Sequence, residues 1–213
     1  MKVKNNYWHQ LIDADWEQAH IQKSQKKAAL HTVREIFSEM IKKGVPFCFC
    51  TFTFKQGQVI NGYYHSLSSY DIKKSLYRLL DRVNAEYLGH AYTRHQRKLA
   101  CLSVLQKGAD GLLHVHMLLE IPERIVNSPM ETQSFCNFIF GMTQNKKVNC
   151  NRWFRTGEYA QHEIVPIDRT PERCLGYITR QIDFDDENNE IDWLNSVLIP
   201  YAKQRVSEEA LPA

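Results

Sequence analysis

No apolar run in this 213-residue chain approaches the ~20 residues that a membrane-spanning helix needs. The N-terminal stretch MKVKNNYWHQLIDADWEQ has no apolar core like a secretory signal's. Both absences point to a cytoplasmic protein with no membrane partner. The six cysteines (Cys48, Cys50, Cys101, Cys136, Cys150 and Cys174) show no CxxC spacing. In a reducing compartment they read as small apolar core residues. No GxxxxGK[ST] phosphate loop occurs anywhere, so no nucleotide-driven motor of that type is fused. There is no internal repeat and no low-complexity linker, and the length fits one domain with an accessory arm.

What is present begins with charge. The net charge of +3 hides an asymmetry. Residues 181–213 hold eight acidic residues, with Lys203 and Arg205 as the only basic ones. Residues 1–180 therefore carry 25 basic against 16 acidic residues, a body of +9. Such a body attracts phosphate, because neutralised phosphates release counterions. A solvated lysine-rich surface reads the same composition equally well. The acidic stretch from Asp183 to Glu190 reads as a loop rather than a site.

Hydrophobic periodicity organises the chain. Residues 13–43 read as one or two helices, with Leu30, Val33, Ile36, Phe37, Met40 and Ile41 as the apolar stripe. Gly44 and Pro46 stop that stretch. Phe47-Cys48-Phe49-Cys50-Thr51-Phe52-Thr53-Phe54 is apolar on both faces, which suits a central strand covered on both sides. Residues 70–88 repeat at helical spacing, with Lys73, Lys74, Arg78 and Arg82 on the outer face and Gly89 as the stop. Residues 98–106 and 112–121 are predicted strands, joined by Lys107-Gly108-Ala109-Asp110-Gly111. A short helix is expected over 130–141, an edge strand over 162–168, and a helix from Pro171, capped by Thr170.

The most informative segment is Leu112-Leu113-His114-Val115-His116-Met117-Leu118-Leu119-Glu120. On a strand, residues two apart share a face, so both imidazoles point the same way and can hold one metal ion. A tight hairpin centred near Ala109 places Gln106 on that face, opposite about Leu112 and one step from His114. Its carbonyl oxygen is a competent hard ligand; ending a strand and capping a turn is the bland alternative. Downstream, Tyr177 sits beside the stripe Leu175, Ile178 and Ile182, with Arg180 and Gln181 one turn on. A phenol beside a guanidinium can approach a phosphodiester, although simple packing at a helix edge is also open.

The order of these segments resembles the HUH endonuclease superfamily, and within it the rolling-circle replication initiator (Rep) proteins. FCFCTFTF resembles the first Rep motif, LHVHMLLE the His-hydrophobic-His motif, and GYITRQ the tyrosine helix with a basic residue three positions on. The likeness covers roughly residues 45–183. It implies an α+β fold: a central antiparallel sheet of about five strands, related to the RNA-recognition-motif topology and flanked by helices. Residues 1–44 would be a helical extension packed on the domain, and 184–213 an acidic loop and tail. The implied activity is sequence- or hairpin-specific nicking and rejoining of one DNA strand to initiate rolling-circle replication. It would run through a 5′-phosphotyrosine on Tyr177, assisted by Arg180, with Mn²⁺ or Mg²⁺ held by His114, His116 and Gln106. DNA contacts are expected from Lys73, Lys74, Arg78 and Arg82.

Two departures stand out. Many Rep proteins have lysine where this chain has Arg180, and viral Reps have an acidic ligand where it has Gln106. Related single-tyrosine transposases take a ligand four residues after the tyrosine, which makes Gln181 the alternative third ligand. The implied partners are single-stranded or hairpin origin DNA and a host or separately encoded helicase and polymerase. The implied setting is a prokaryotic cell or its plasmid, virus or other mobile element. A single-tyrosine transposase or small relaxase is the alternative within the superfamily. A non-catalytic nucleic-acid-binding domain is the alternative outside it.

Overall fold

The computed structural model describes residues 6–108, 111–144, 153–156, 162–167, 170–180, 182, 190–192 and 195–198, with side chains from residue 24 on apart from Ile60 and Glu190. The class is α+β. The elements, in chain order, are α1 (Asn6–Lys42), β1 (Phe47–Thr53), β2 (Gly57–Ile60), β3 (Tyr63–Ser66), α2 (Ser69–Leu88), α3 (His90–His95) and β4 (Cys101–Lys107). They continue with β5 (Leu113–Glu120), α4 (Glu123–Val126), α5 (Pro129–Gln144), β6 (Glu163–Pro166), α6 (Pro171–Arg180) and β7 (Glu190–Ile191).

One sheet organises the rest, with strand order β6-β1-β5-β4-β7 and every pair antiparallel. The four longer strands with α2 and α5 make a βαββαβ unit. β1 and β4 run parallel with β5 between them, as do β5 and β6 with β1 between them. Each pair is joined by a crossover through a helix, and two crossovers of one hand put both helices on one face. Accordingly Ile72, Leu76, Leu79 and Val83 of α2 and Phe135, Cys136 and Ile139 of α5 share a core with Cys48, Cys50, Phe52, Val115, Met117 and Leu119. Burying each large apolar side chain contributes about 1.5–3 kcal/mol. Below, this is the back face.

The front face is covered by α1 and α6. Leu30, Val33, Phe37, Met40 and Ile41 of α1 and Leu175 and Ile178 of α6 pack with Phe47, Leu102, Val104 and Leu118. The predicted stripe on α1 is thus the buried one, and one continuous helix carries it. Gly44, at φ +77°, ends the turn after α1. β1 is central as its two-sided apolarity required, and β6 is the edge strand that tolerates Pro166.

The β4–β5 hairpin differs from the tight turn expected. Its register pairs Gln106 directly with His114, not with Leu112. The hairpin axis falls one residue later than expected: Gly108 N donates to Leu112 O at 2.9 Å, and Gly111 takes φ +76°. The ribbon β2–β3 was not expected at all. Its signal was Asn61-Gly62, both at positive φ, between QVI and YYH. The acidic residues 183–189 lie outside the described residues. No helix among the described residues is long and apolar enough to cross a membrane.

Candidate functional site

The site is built from three rows of the front face. Strand pairing sets Phe49 beside Leu118, Thr51 beside His116, and Thr53 beside His114. Gln106 extends the last row on the far side of His114, and Glu163 extends the middle row on the far side of Thr51. The two histidines therefore share a face, and their ring centroids lie 4.9 Å apart.

Each imidazole is oriented by a local oxygen. His116 Nδ1 lies 3.0 Å from Thr51 Oγ1, and His114 Nδ1 lies 3.4 Å from Leu112 O. With Nδ1 the protonated nitrogen, each Nε2 keeps its lone pair, the arrangement metal-ligating histidines use. Burial, reinforced by His114 alongside, pushes the His116 pKa down to about 4. The ring is thus neutral at physiological pH, as a ligand must be.

Gln106 is fully buried, and its Nε2 donates to Ile178 O in α6 at 2.9 Å. Its Oε1 is buried with no hydrogen-bond partner, and so is Thr53 Oγ1 in the same row. Two uncompensated buried oxygens flanking His114 are costly, about 1–3 kcal/mol each. A divalent cation beside the imidazoles would satisfy such oxygens, and a set of two imidazole nitrogens with an amide oxygen suits Mn²⁺ better than Mg²⁺. No cluster of three or more histidine, cysteine, aspartate or glutamate side chains suited to a metal occurs among the described residues. A third ligand from that row would have to be an amide or hydroxyl oxygen.

Tyr177 closes the site from α6. Its ring lies 5.1 Å from His116 and 6.1 Å from Phe49, edge-on in both cases, and the residue is 45% exposed. Arg180 holds its guanidinium carbon 6.0 Å from the Tyr177 ring centre. A cleft of about 590 Å³ opens here, lined by Phe49, Thr51, His116, Glu163, Arg173 and Tyr177 with His162 and Cys174. His114 and Gln106 do not line it.

Two lining residues, Arg173 and Glu163, escaped the sequence reading. Arg173 precedes Tyr177 by one helical turn and so shares its face, a spacing visible in the sequence. Glu163 could have been found from the alternation of HEIVPID paired with β1. His162 lines the cleft without reactive capacity: Thr53 N donates to its Nδ1 at 3.2 Å, and its Nε2 donates to Arg155 O at 2.8 Å.

The tyrosine helix is mounted from two sides. The carbonyls of its last turn have no partners within the helix. Gln106 takes the one at Ile178. Arg34 of α1 takes the one at Thr179 through Nη2 at 2.9 Å, while its Nε donates to Thr179 Oγ1 at 2.8 Å. Neither role was expected of these residues.

The cationic residues of α2 are not brought to the cleft. α2 packs on the back face, and Lys74, Arg78 and Arg82 point outward from it, with Lys73 half-buried. Gln181, the alternative ligand, lies outside the described residues. No family model, curated protein or solved structure matches the chain.

Proposed function

We propose that the chain is a metal-dependent single-strand DNA endonuclease that nicks and rejoins through Tyr177, the chemistry that initiates rolling-circle replication. The observation that carries this reading is a partly exposed phenol packed against one imidazole of a strand-borne His-x-His pair, at the mouth of a cleft with two arginines near. The βαββαβ sheet order supports it, as does the unpartnered Gln106 Oε1 beside His114.

His114, His116 and Gln106 would hold Mn²⁺ or Mg²⁺, which when bound supplies charge neutralisation at a non-bridging phosphate oxygen. The Tyr177 oxygen attacks phosphorus and forms a phosphotyrosine ester. The phenol releases its proton to solvent as the bond from phosphorus to the 3′ oxygen breaks, and that oxygen takes up a proton from solvent to become a free hydroxyl, so the net transfer is of one proton from phenol to 3′ oxygen. Arg173 and Arg180 offset charge on the pentacovalent phosphate. Because the ester conserves the bond energy, attack by a 3′ hydroxyl reverses the step and rejoins the strand.

The experiment is to incubate the protein with Mn²⁺ and a library of randomised single-stranded and hairpin oligonucleotides, and to measure protein mass. A covalent adduct that disappears in Tyr177→Phe is expected. Adducts of equal yield from that variant would move the chemistry to another residue.

A further inference from the structure

We propose that the β2–β3 ribbon and the first turns of α2, beyond the His114 end of the histidine pair, form a base-stacking surface for single-stranded DNA. The choice of occupant rests on the nicking reading of the cleft.

Lone two-stranded ribbons are marginal in water, and this one lies outside the main sheet. Its base is pinned at the histidine end of the site. Leu113 N donates to Gln56 Oε1 at 3.2 Å, and Gln56 Nε2 donates to Phe54 O at 3.0 Å. The ribbon thus starts beside His114 and ends at Ser66, three residues before α2.

Its side chains are the wrong kind for a surface that faces only water. Tyr63 is 75% exposed, Tyr64 72% and Tyr70 65%, and Tyr77 follows two turns along α2. Tyr64 is laid over Gly57, where any Cβ would collide with its ring. That glycine lets the ring lie against the ribbon backbone, with its other face turned outward.

Cations interleave with these rings. Lys74 Nζ lies 5.5 Å from the Tyr70 ring centre and Lys98 Nζ 6.0 Å from that of Tyr77. Asp71, the one carboxylate between residues 55 and 78, is engaged in the capping box with Ser68. Rings to stack on and cations to meet phosphates, with the one carboxylate of the ribbon and first turns of α2 already engaged, match an unpaired strand. Among the described side chains of this surface, Val59 is the one exposed aliphatic against four exposed tyrosines, a composition that favours base stacking over an apolar protein partner.

Anisotropy titrations in chelator test this, with oligo(dT) and an abasic deoxyribose-phosphate strand of equal length as probes. The wild-type chain should bind oligo(dT) about tenfold or more tighter than the abasic strand. The triple variant Tyr63→Ala, Tyr64→Ala, Tyr70→Ala should lose most of that difference, keep its abasic affinity and keep its circular dichroism. Phenylalanine at the three positions should restore it. Equal oligo(dT) affinity of the wild-type and alanine proteins overturns the proposal, as does full affinity with leucine at the three positions. Adduct formation, measured alongside, separates the two readings. Adduct without tyrosine-dependent affinity removes the stacking surface alone. Tyrosine-dependent affinity without adduct keeps the surface and removes the nicking.

Discussion

The two faces of the central sheet are made by the same strands and have opposite characters. On the back, Cys48, Cys50, Phe52, Val115, Met117 and Leu119 are sealed under α2 and α5. Even the thiols there are held protonated: burial pushes Cys101 well up, and at Cys48 the pull of a hydrogen bond with Cys136 is outweighed by the hydrogen bond with Cys50 and by burial, for a net rise. On the front, alternate residues of those strands supply Thr51, Thr53, Gln106, His114 and His116, and two of their oxygens lack hydrogen bonds. The pleat lets one strand serve stability with every second residue and the proposed chemistry with the others. Front substitutions should cost activity, and back ones should cost stability.

The largest effect that would break this division is at Tyr177. Tyr177→Phe should abolish the covalent adduct while shifting the urea midpoint little, since surface changes stay within about 0.5 kcal/mol. A large loss of stability would make Tyr177 a packing residue instead. Next, the double variant His114→Ala, His116→Ala should lower Mn²⁺-dependent nicking by about a hundredfold or more. Undiminished nicking across a Mn²⁺ titration would end the metal role. On the back, Phe52→Ala should cost about 3–5 kcal/mol in denaturant unfolding. Whatever fraction remains folded should nick at the wild-type rate per folded molecule.

A smaller effect follows from pH. His116 titrates near 4 when folded, against an ordinary 6.5. Between those values the unfolded chain binds a proton that the folded chain refuses. Stability should therefore fall as pH drops from about 6.5 to 4, by up to about 3 kcal/mol, and level off below. Burial lowers the His162 pKa as well and adds in the same direction. Urea midpoints in chelator should show a flatter slope for His116→Gln than for the wild type; parallel slopes would mean that the buried imidazole does not govern it.

The smallest and most diagnostic change is at Gln106. Gln106→Ala should raise the Mn²⁺ concentration needed for half-maximal nicking. Gln106→Glu keeps an oxygen for the metal but sets a carboxylate against Ile178 O, so it should retain metal response while losing about 1–3 kcal/mol of stability. If alanine leaves the Mn²⁺ dependence unchanged, Gln106 serves only to hold α6.

Much of this was legible in the sequence, and the reasons differ by element. Long apolar periodicities gave α1, α2, β1 and β5, because burial of a continuous stripe overrides local detail. The shared face of His114 and His116 follows from the period of two alone. The side of the sheet that α2 covers was not legible, since β1 is apolar on both faces and periodicity does not fix the pleat. The four cations Lys73, Lys74, Arg78 and Arg82, expected to contact DNA, therefore sit on a helix of the back face. The direct pairing of Gln106 with His114 was missed by one step because hairpin register depends on where the turn is centred, and the pairing of Gly108 with Leu112 moves that centre one residue along the chain. The roles of Arg34 and Gln106 at α6 are contacts between distant parts of the chain, and nothing local marks them.

Those two mounting contacts also set when the site can exist. Arg34 and Thr179 are 145 positions apart, and Gln106 and Ile178 are 72 apart. Contacts of such separation form late, because the intervening chain must be ordered first. During synthesis the histidine pair can be in place on its hairpin while the helix that carries Tyr177 is still unmade. The phenol meets the imidazoles only once the first helix, the sheet and the last helix have closed on each other. A chain arrested before residue 177 would carry the histidine pair without the tyrosine, so under the proposed chemistry reactivity would begin only when α6 has docked.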